Sequence, residues 1–349
     1  MLNINMLLKM TMQQNASDLH LTVQRSPVLR IDGKLHFTNL PTIDDDEIKQ
    51  MIYGILTDDH KSMLERDKEL DFSFALPDMD RFRVNVHYQR GSVEAAFRRI
   101  PKVIPSIETL GLPNVVYDLL RRPNGLVLVT GPTGTGKSTT MAAMLDVVNR
   151  ERQEMIICIE DPIEFYHTNK KSIVKQREVH YDTHSFPEAL RRVLRQDPDV
   201  IVVGEMRDLE TISTTLTAAE TGHLVLATLH TPDAPQTIQR IIDVFPPYQQ
   251  KQVRVQLADC LQGVISQILL PRAEGDGRIL ATEVMISSSG VRNLIREGEI
   301  AQLPSLIQMG AQYGMHTMDK CLKEFYKKGL ITKEAAVSKV RNEAEFDSL

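Results

Sequence analysis

Residues 125–140 read GLVLVTGPTGTGKSTT, and they decide the fold of the larger part of the chain. An apolar run, GLVLVT, leads straight into a glycine-rich turn, and the turn leads into MAAMLDVVNR, a helical pattern. An unbroken apolar strand is buried on both faces, as in a parallel sheet covered by helices. The turn fills the pattern G-x-x-x-x-G-K-S with Gly131, Gly136, Lys137 and Ser138. Glycines let backbone N–H groups curl around phosphate oxygens, and the following helix offers the positive end of its dipole to the same charge. Gly131, Pro132, Thr133, Gly134, Thr135, Gly136, Lys137, Ser138 and Thr139 are therefore the expected cradle for ATP. Lys137 is expected at the β- and γ-phosphates, and the Ser138 hydroxyl on Mg²⁺.

Three more apolar strands follow, MIICIE, VIVVGE and HLVLATL, alternating with helical stretches. A carboxylate at the C-terminal end of a parallel strand stands where such sheets bind ligands. Glu205 ends VIVVGE and is expected to orient the Mg²⁺ shell or the attacking water; the plainer alternative makes it the first residue of a helix in EMRDLETI. CIEDPIEF places Glu160, Asp161 and Glu164 at another strand end, where Pro162 forces a turn. Crowded carboxylates repel, so one of the three is expected to have a raised pKa, suited to taking a proton from water. The same stretch also reads as a solvated acidic loop. His223 and His230 bracket HLVLATLH, either as reporters of the γ-phosphate or as ordinary polar caps.

The first hundred residues have a different texture. MLLKMTMQQN and DDDEIKQMIYGIL read as helices, the second with acids in its first turn, where the dipole favours them. ASDLHLTV reads as a strand, and VLRIDGKLHF as a hairpin around Asp32-Gly33. LDFSFAL, RFRVNVHYQ and SVEAAFRRI are three further strands, broken by PDMD and RG. In the second of these, Val84 and Val86 point one way while Arg81, Arg83, Asn85 and His87 point the other. This predicts a small α+β domain over 1–100, a proline-bearing linker over 101–113 and an α/β domain over 114–349. After a hairpin around EGDGR, the end of the chain is expected to be mostly helical.

Composition narrows the partners. The net charge is −5 and the sequence pI about 6.1, which argues against nucleic acid. Apolar runs such as VIVV are far too short to span a bilayer, and MLNINMLLKMTMQQ lacks a charged n-region followed by a small-residue cleavage site. Cys158, Cys260 and Cys321 have no paired spacing, which argues against a zinc site or disulfide framework and for a reducing cytosol.

The longer motifs carry a resemblance. LRQDPDVIVVGEMRD matches the signature of the secretion ATPase superfamily, which includes type II secretion and type IV pilus motors. CIEDPIEF resembles that superfamily's Asp box, and TGHLVLATLHTPDAPQTIQRIIDVFP its His box. ASDLHL, RFRVNVHYQRG and REVHYDT fit as well, and VRNLIREGEIAQLPSLIQMGAQYGMHTMD is similar to the C-terminal region of the pilus-retraction branch. That branch begins its C-terminal motif Ala-Ile-Arg-Asn-Leu, where this chain has Gly290-Val291-Arg292-Asn293-Leu294. The resemblance implies a RecA-like P-loop ATPase core with a smaller N-terminal PAS-like domain, assembled as a homohexamer with nucleotide between the two domains. It implies that Glu164 polarises the lytic water, that Glu205 acts at Mg²⁺ and water, and that His223 and His230 read the nucleotide state. It makes Arg81 and Arg98 contributors to the phosphates, where their spacing alone suggests a solvated strand face. Arg191 and Arg195 either line the subunit interface or pair with nearby acids. The implied work is pilus retraction, performed at the inner face of the cytoplasmic membrane on the inner-membrane pilus platform protein, and through it on pilin. Alternatives within the superfamily are an accessory retraction paralogue, which is also a candidate partner, and a pilus-assembly or type II secretion ATPase, which usually carries a four-cysteine metal loop. A nucleic-acid translocase is more remote.

Overall fold

The computed structural model describes residues 2–31, 33–76, 80–100, 103–275 and 277–341. Asp32 of the expected hairpin turn, most of the PDMD break, Pro101 and Lys102 of the expected linker, and Asp276 of EGDGR lie outside the described residues. The chain divides into two compact units, Met1–Val103 and Ile104–Leu349.

The first unit runs α1 (Ile4–Gln13), β1 (Asp18–Leu21), β2 (Val28–Ile31), β3 (Lys34–Phe37), α2 (Asp45–Tyr53), α3 (Asp58–Asp67), β4 (Glu69–Ala75), β5 (Arg81–Gln89) and β6 (Ser92–Ile100). Its six strands form an antiparallel sheet in the order β3-β2-β1-β6-β5-β4. Alternation divides the faces: Phe82, Val84, Val86 and Phe97 pack with Leu7, Leu8, Ile48, Ile52 and Leu64 from the three helices. The helices start where the sequence supplies caps. Asn3, Asp44 and Thr57 accept the first free N–H groups of α1, α2 and α3, and Asp44 forms a capping box with Glu47. Helix α3 is a strongly polar segment with a single buried residue, Leu64, so its sequence carries little periodic signal.

The second unit begins with α4 (Ile107–Leu110) and α5 (Val115–Leu120). Residues 104–113 are thus not a linker: Ile107 and Leu112 are buried in the core of this unit beside Val116 and Leu119. The prolines at 105 and 113 punctuate a packed segment instead of freeing it. There follow β7 (Gly125–Thr130), α6 (Lys137–Glu151), β8 (Met155–Glu160), β9 (Ile173–Glu178), α7 (Phe186–Val193), β10 (Val200–Val203), α8 (Leu209–Glu220), β11 (Leu224–Leu229), α9 (Ala234–Asp243) and α10 (Pro247–Cys260). The unit ends with β12 (Leu261–Pro271), β13 (Arg278–Ile286), α11 (Ser289–Glu297), α12 (Leu303–Met309), α13 (Met318–Lys327) and α14 (Lys333–Val337).

Seven strands form one sheet in the order β13-β12-β7-β11-β10-β8-β9. All pairings are parallel except β12 with β13. Leu126 and Leu128 face one core layer and Val127 and Val129 the other, which is why β7 is apolar at every position. β9 is the exception in composition. As an edge strand it is exposed or half-buried from Ile173 to Arg177 and buried only at Glu178, so no continuous apolar run marks it. In α11, Gly290 faces Leu306 so closely that a β-carbon would stand 3.2 Å from Leu306 Cδ1. A side chain there would need Leu306 to give by a few tenths of an ångström, and Val291 beside it is fully buried.

Phe97 is fully buried at the centre of the first core. Phe97→Ala is expected to cost that unit about 3–5 kcal/mol. Hydrogen exchange of the β5 and β6 amides in the full chain should then speed up by roughly a hundredfold or more, while β7 and β11 amides keep their protection.

Candidate active site

Four parallel strands end side by side. The register pairs Thr130 of β7 with Leu229 of β11, Ala227 of β11 with Val203 of β10, and Val203 with Ile159 of β8. Walking along this rim, one meets the glycine-rich loop, then His230, then Glu205, then the loop of Glu160, Asp161 and Glu164.

The loop is shaped from behind. Gly131 has φ +148°, and a β-carbon there would collide with the carbonyl oxygen of Gln267 on β12 and stand 2.8 Å from Thr135 Oγ1. The fully buried Gln267 side chain donates from Nε2 to the Thr135 carbonyl at 2.7 Å. Thr135 Oγ1 closes the turn by donating to the Pro132 carbonyl at 2.8 Å. Gly136, with φ +86°, opens α6 without a side-chain cap, so the first N–H groups of the helix remain available to an anion. Lys137 Nζ donates to the carbonyls of Gly131 at 2.8 Å and Pro132 at 3.1 Å. Burial lowers its pKa, opposed by the charges of Glu205 and Glu164. Pro132, Thr133 and Gly134 form an exposed lip, and Ser138 and Thr139 are half-exposed on the first turn of α6.

His230 bridges loop and carboxylate. Its Nδ1 lies 3.2 Å from Thr133 Oγ1 and its Nε2 lies 3.2 Å from Glu205 Oε2. Burial would raise the Glu205 pKa, but Arg207, at 2.7 Å from Oε1, and His230 outweigh it, and the net direction is down. An ionised carboxylate only accepts, so His230 donates from Nε2 to Glu205. Glu205 is not a helix-start residue: α8 begins at Leu209 and is capped by Asp208, which accepts from Thr211 N.

The acidic cluster also resolves. Glu160 is the member with the raised pKa: burial pushes it up to about 7, Gln176 Nε2 donates to it at 2.9 Å and favours its charged form, and Glu164 and Glu178 repel that form. Glu164 is exposed between two buried residues, Ile163 and Phe165.

Other expected residues stand elsewhere. His223 lies at the opposite end of β11, where its carbonyl accepts from Gly125 N and its Nδ1 lies 2.9 Å from the Ala218 carbonyl. β7 spans six residues from Gly125 to Thr130, which lie about 17 Å apart along the strand. His223 is therefore a polar cap, not a ligand of its own chain's loop. Arg81 and Arg98 belong to the first unit and share one sheet face with Arg83, since Arg83 and Arg98 are register partners. Arg98 Nε donates to Asp18 Oδ1 at 2.9 Å. Arg191 pairs with Glu210 at 2.7 Å. Among the described residues no cluster of three or more His, Cys, Asp or Glu could hold a metal, and no helix is long and apolar enough to cross a membrane. Sequence reading missed Gln267, Arg207 and Gln176. Arg207 was signalled by its place in GEMRD; the two glutamines had no local signal.

The family model described as "Type II/IV secretion system protein" matches residues 2–306. The chain belongs to this family. It is 50% identical over 345 residues to the type IV pilus retraction ATPase PilT of Pseudomonas aeruginosa, covering 99% of this chain and 100% of that one. It is 38% identical over 332 residues to the type IV pilus ATPase PilU of the same organism, covering 95% and 87%. The crystal structure of the pilus retraction motor PilT with bound ADP superposes with a TM-score of 0.94 at 49% identity, covering both chains completely. The RecA-like fold is thus that of the secretion ATPases, and the chain is an ATPase of this family.

The Glu160 carboxyl titrates near 7 in the native state and in the ordinary carboxylate range once unfolded. The native state thus holds an extra proton between these values, and this stabilising contribution is lost as pH rises through about 7. Glu160→Gln removes the titration. Its melting temperature should exceed the parent's at about pH 8 and differ little at about pH 4, below the unfolded carboxylate pKa; an equal shift at both pH values would assign the raised carboxyl to another residue.

Proposed function

We propose that this chain is the ATP-hydrolysing motor that powers type IV pilus retraction and twitching motility. The supporting observation is full-length 50% identity to the P. aeruginosa retraction ATPase, together with a complete rim of loop, His230, Glu205 and Glu164. The lower identity of 38% to PilU favours the retraction motor over the accessory paralogue.

The mechanism follows from the rim. The loop's N–H groups and the start of α6 bind the phosphates, and Lys137 exchanges its loop carbonyls for β- and γ-phosphate oxygens. The Ser138 hydroxyl and the ionised Glu205, both hard oxygen donors, would hold Mg²⁺, which would supply charge neutralisation to the phosphates. Glu164 takes a proton from water as the water oxygen bonds to the γ-phosphorus and the bond to the β-phosphate oxygen breaks, giving ADP and phosphate. His230, held between Thr133 and Glu205, transmits the state of the loop to the carboxylate. Arg81 and Arg98 are the proposed outside cations that neutralise charge on the phosphates, and the first unit is the PAS-like clamp of a homohexamer. The proposed partners are an inner-membrane platform protein of the PilC type, pilin indirectly, and a PilU-like paralogue; nucleic acid is not among them. The place of work is the cytoplasmic face of the inner membrane.

Lys137→Ala should fold, because the side chain serves the ligand, and should lose ATP hydrolysis; a folded variant hydrolysing at the parental rate would remove the loop from the reaction. In the native host, cells without the gene should remain piliated and fail to retract.

Glu164→Gln should bind ATP with Mg²⁺ normally and hydrolyse it slower by about 10²–10⁴-fold. Glu205→Gln should in addition shift the Mg²⁺ dependence of nucleotide binding. If Glu164→Gln alone shifts that dependence, the two roles are reversed.

A further inference from the structure

Glu164 stands on a loop with no regular structure, yet its reaction needs a carboxylate fixed relative to the phosphate loop. The edge strand β9, which runs parallel to β8 with Gln176 opposite Cys158 and Glu178 opposite Glu160, supplies the fixing. On one side of Glu164, the Ile163 N–H donates to Glu178 Oε2 at 3.1 Å. On the other, the Phe165 carbonyl accepts from Gln176 Nε2 at 2.6 Å, and the His167 N–H donates to Gln176 Oε1 at 2.9 Å. Gln176 Nε2 also reaches Glu160 Oε1 at 2.9 Å. Glu178 is buried, and its own N–H donates to Asp182 Oδ2 at 2.8 Å, which holds the end of β9 in place. Ile163 and Phe165 are buried, so the backbone is pinned by packing and by side-chain hydrogen bonds on both sides of the one exposed residue between them.

We propose that Gln176 and Glu178 are positioning residues for Glu164, two side chains of β9 that clamp the backbone before and after it and so set where its carboxylate stands. They act on Glu164 through the loop backbone. The geometry is specific to their chemistry. Gln176 must donate to one backbone group and accept from another, which an amide does and an apolar or carboxylate side chain does not. Glu178 need only accept, so glutamine can replace it. Loss of either bond leaves a buried backbone group unpaired and releases the loop. A displacement of about 1 Å at a reacting group can cost of order a hundredfold in rate.

The inference rests on Glu164 as the proton acceptor, and the experiment separates the two. Steady-state ATP hydrolysis and nucleotide binding, with Mg²⁺, are measured on the full-length parent, Gln176→Leu, Glu178→Leu, Glu178→Gln, Glu164→Gln and the Gln176→Leu/Glu164→Gln double variant. Gln176→Leu and Glu178→Leu should lower kcat roughly 10- to 100-fold with ATP affinity unchanged. Glu178→Gln should recover most of what Glu178→Leu loses. The double variant should be no slower than Glu164→Gln alone, since a misplaced glutamine loses nothing further. If Glu164→Gln is slow while Gln176→Leu turns over normally, the clamp is overturned and the role of Glu164 stands. Loss of affinity in step with kcat also overturns it, because the defect is then in the fold of the site as a whole. If Glu164→Gln turns over normally, the reading of Glu164 fails and the clamp fails with it.

Discussion

At Gly131 there is no room for a β-carbon. The β12 backbone passes directly behind the loop, and its Gln267 carbonyl occupies the space a side chain would need. The remainder of the site depends on that approach. With β12 in place, Gln267 holds the Thr135 carbonyl from a fully buried position and the turn closes on itself through Thr135 and Pro132. α6 then starts, without a side-chain cap, at the point where its unpaired donors can meet phosphate. The loop's shape is thus imposed by a strand more than a hundred residues downstream.

The second constraint is strand order. Because β11 lies between β7 and β10, His230 is the immediate neighbour of the loop and Glu205 is next beyond it. One histidine can therefore touch both Thr133 and Glu205, and the loop's lip is wired to the carboxylate at the adjoining strand end. Environment then separates carboxylates of identical chemistry. Glu205, with Arg207 and His230 against it, is held ionised; Glu160, buried and facing Glu164 and Glu178, is pushed up to about 7. One rim thus carries a carboxylate held ionised and another biased towards its protonated form.

Much of this was legible beforehand because the relevant signals are local. The four apolar strands are buried on both faces, so each residue of GLVLVT or VIVV reports the sheet by itself. Gly136, Lys137 and Ser138 have their meaning from spacing, because a phosphate loop is a backbone shape that only glycine permits at two points. The polar elements were less visible. β9 is an edge strand with a polar outer row, and α3 buries one leucine, so neither shows the period that announces its type. The prolines of 101–113 suggested a free connector, whereas Ile107 and Leu112 are core residues.

The parallel sheet, the phosphate loop and the carboxylate-bearing strand ends are written in periodicity, glycine placement and spacing along the chain, and the family in the resemblance of its long motifs. Which strand end neighbours which is set by the folded sheet. His223 and His230 look equivalent as two histidines bracketing one strand, and a strand's two ends are separated by its whole length, so one meets the loop and the other cannot. Gln267 and Gln176 are unremarkable in sequence, and their importance lies in the backbone groups that folding brings to them. A glutamine's chemistry is the same everywhere in the chain; what it holds is settled by long-range contacts that no local pattern records.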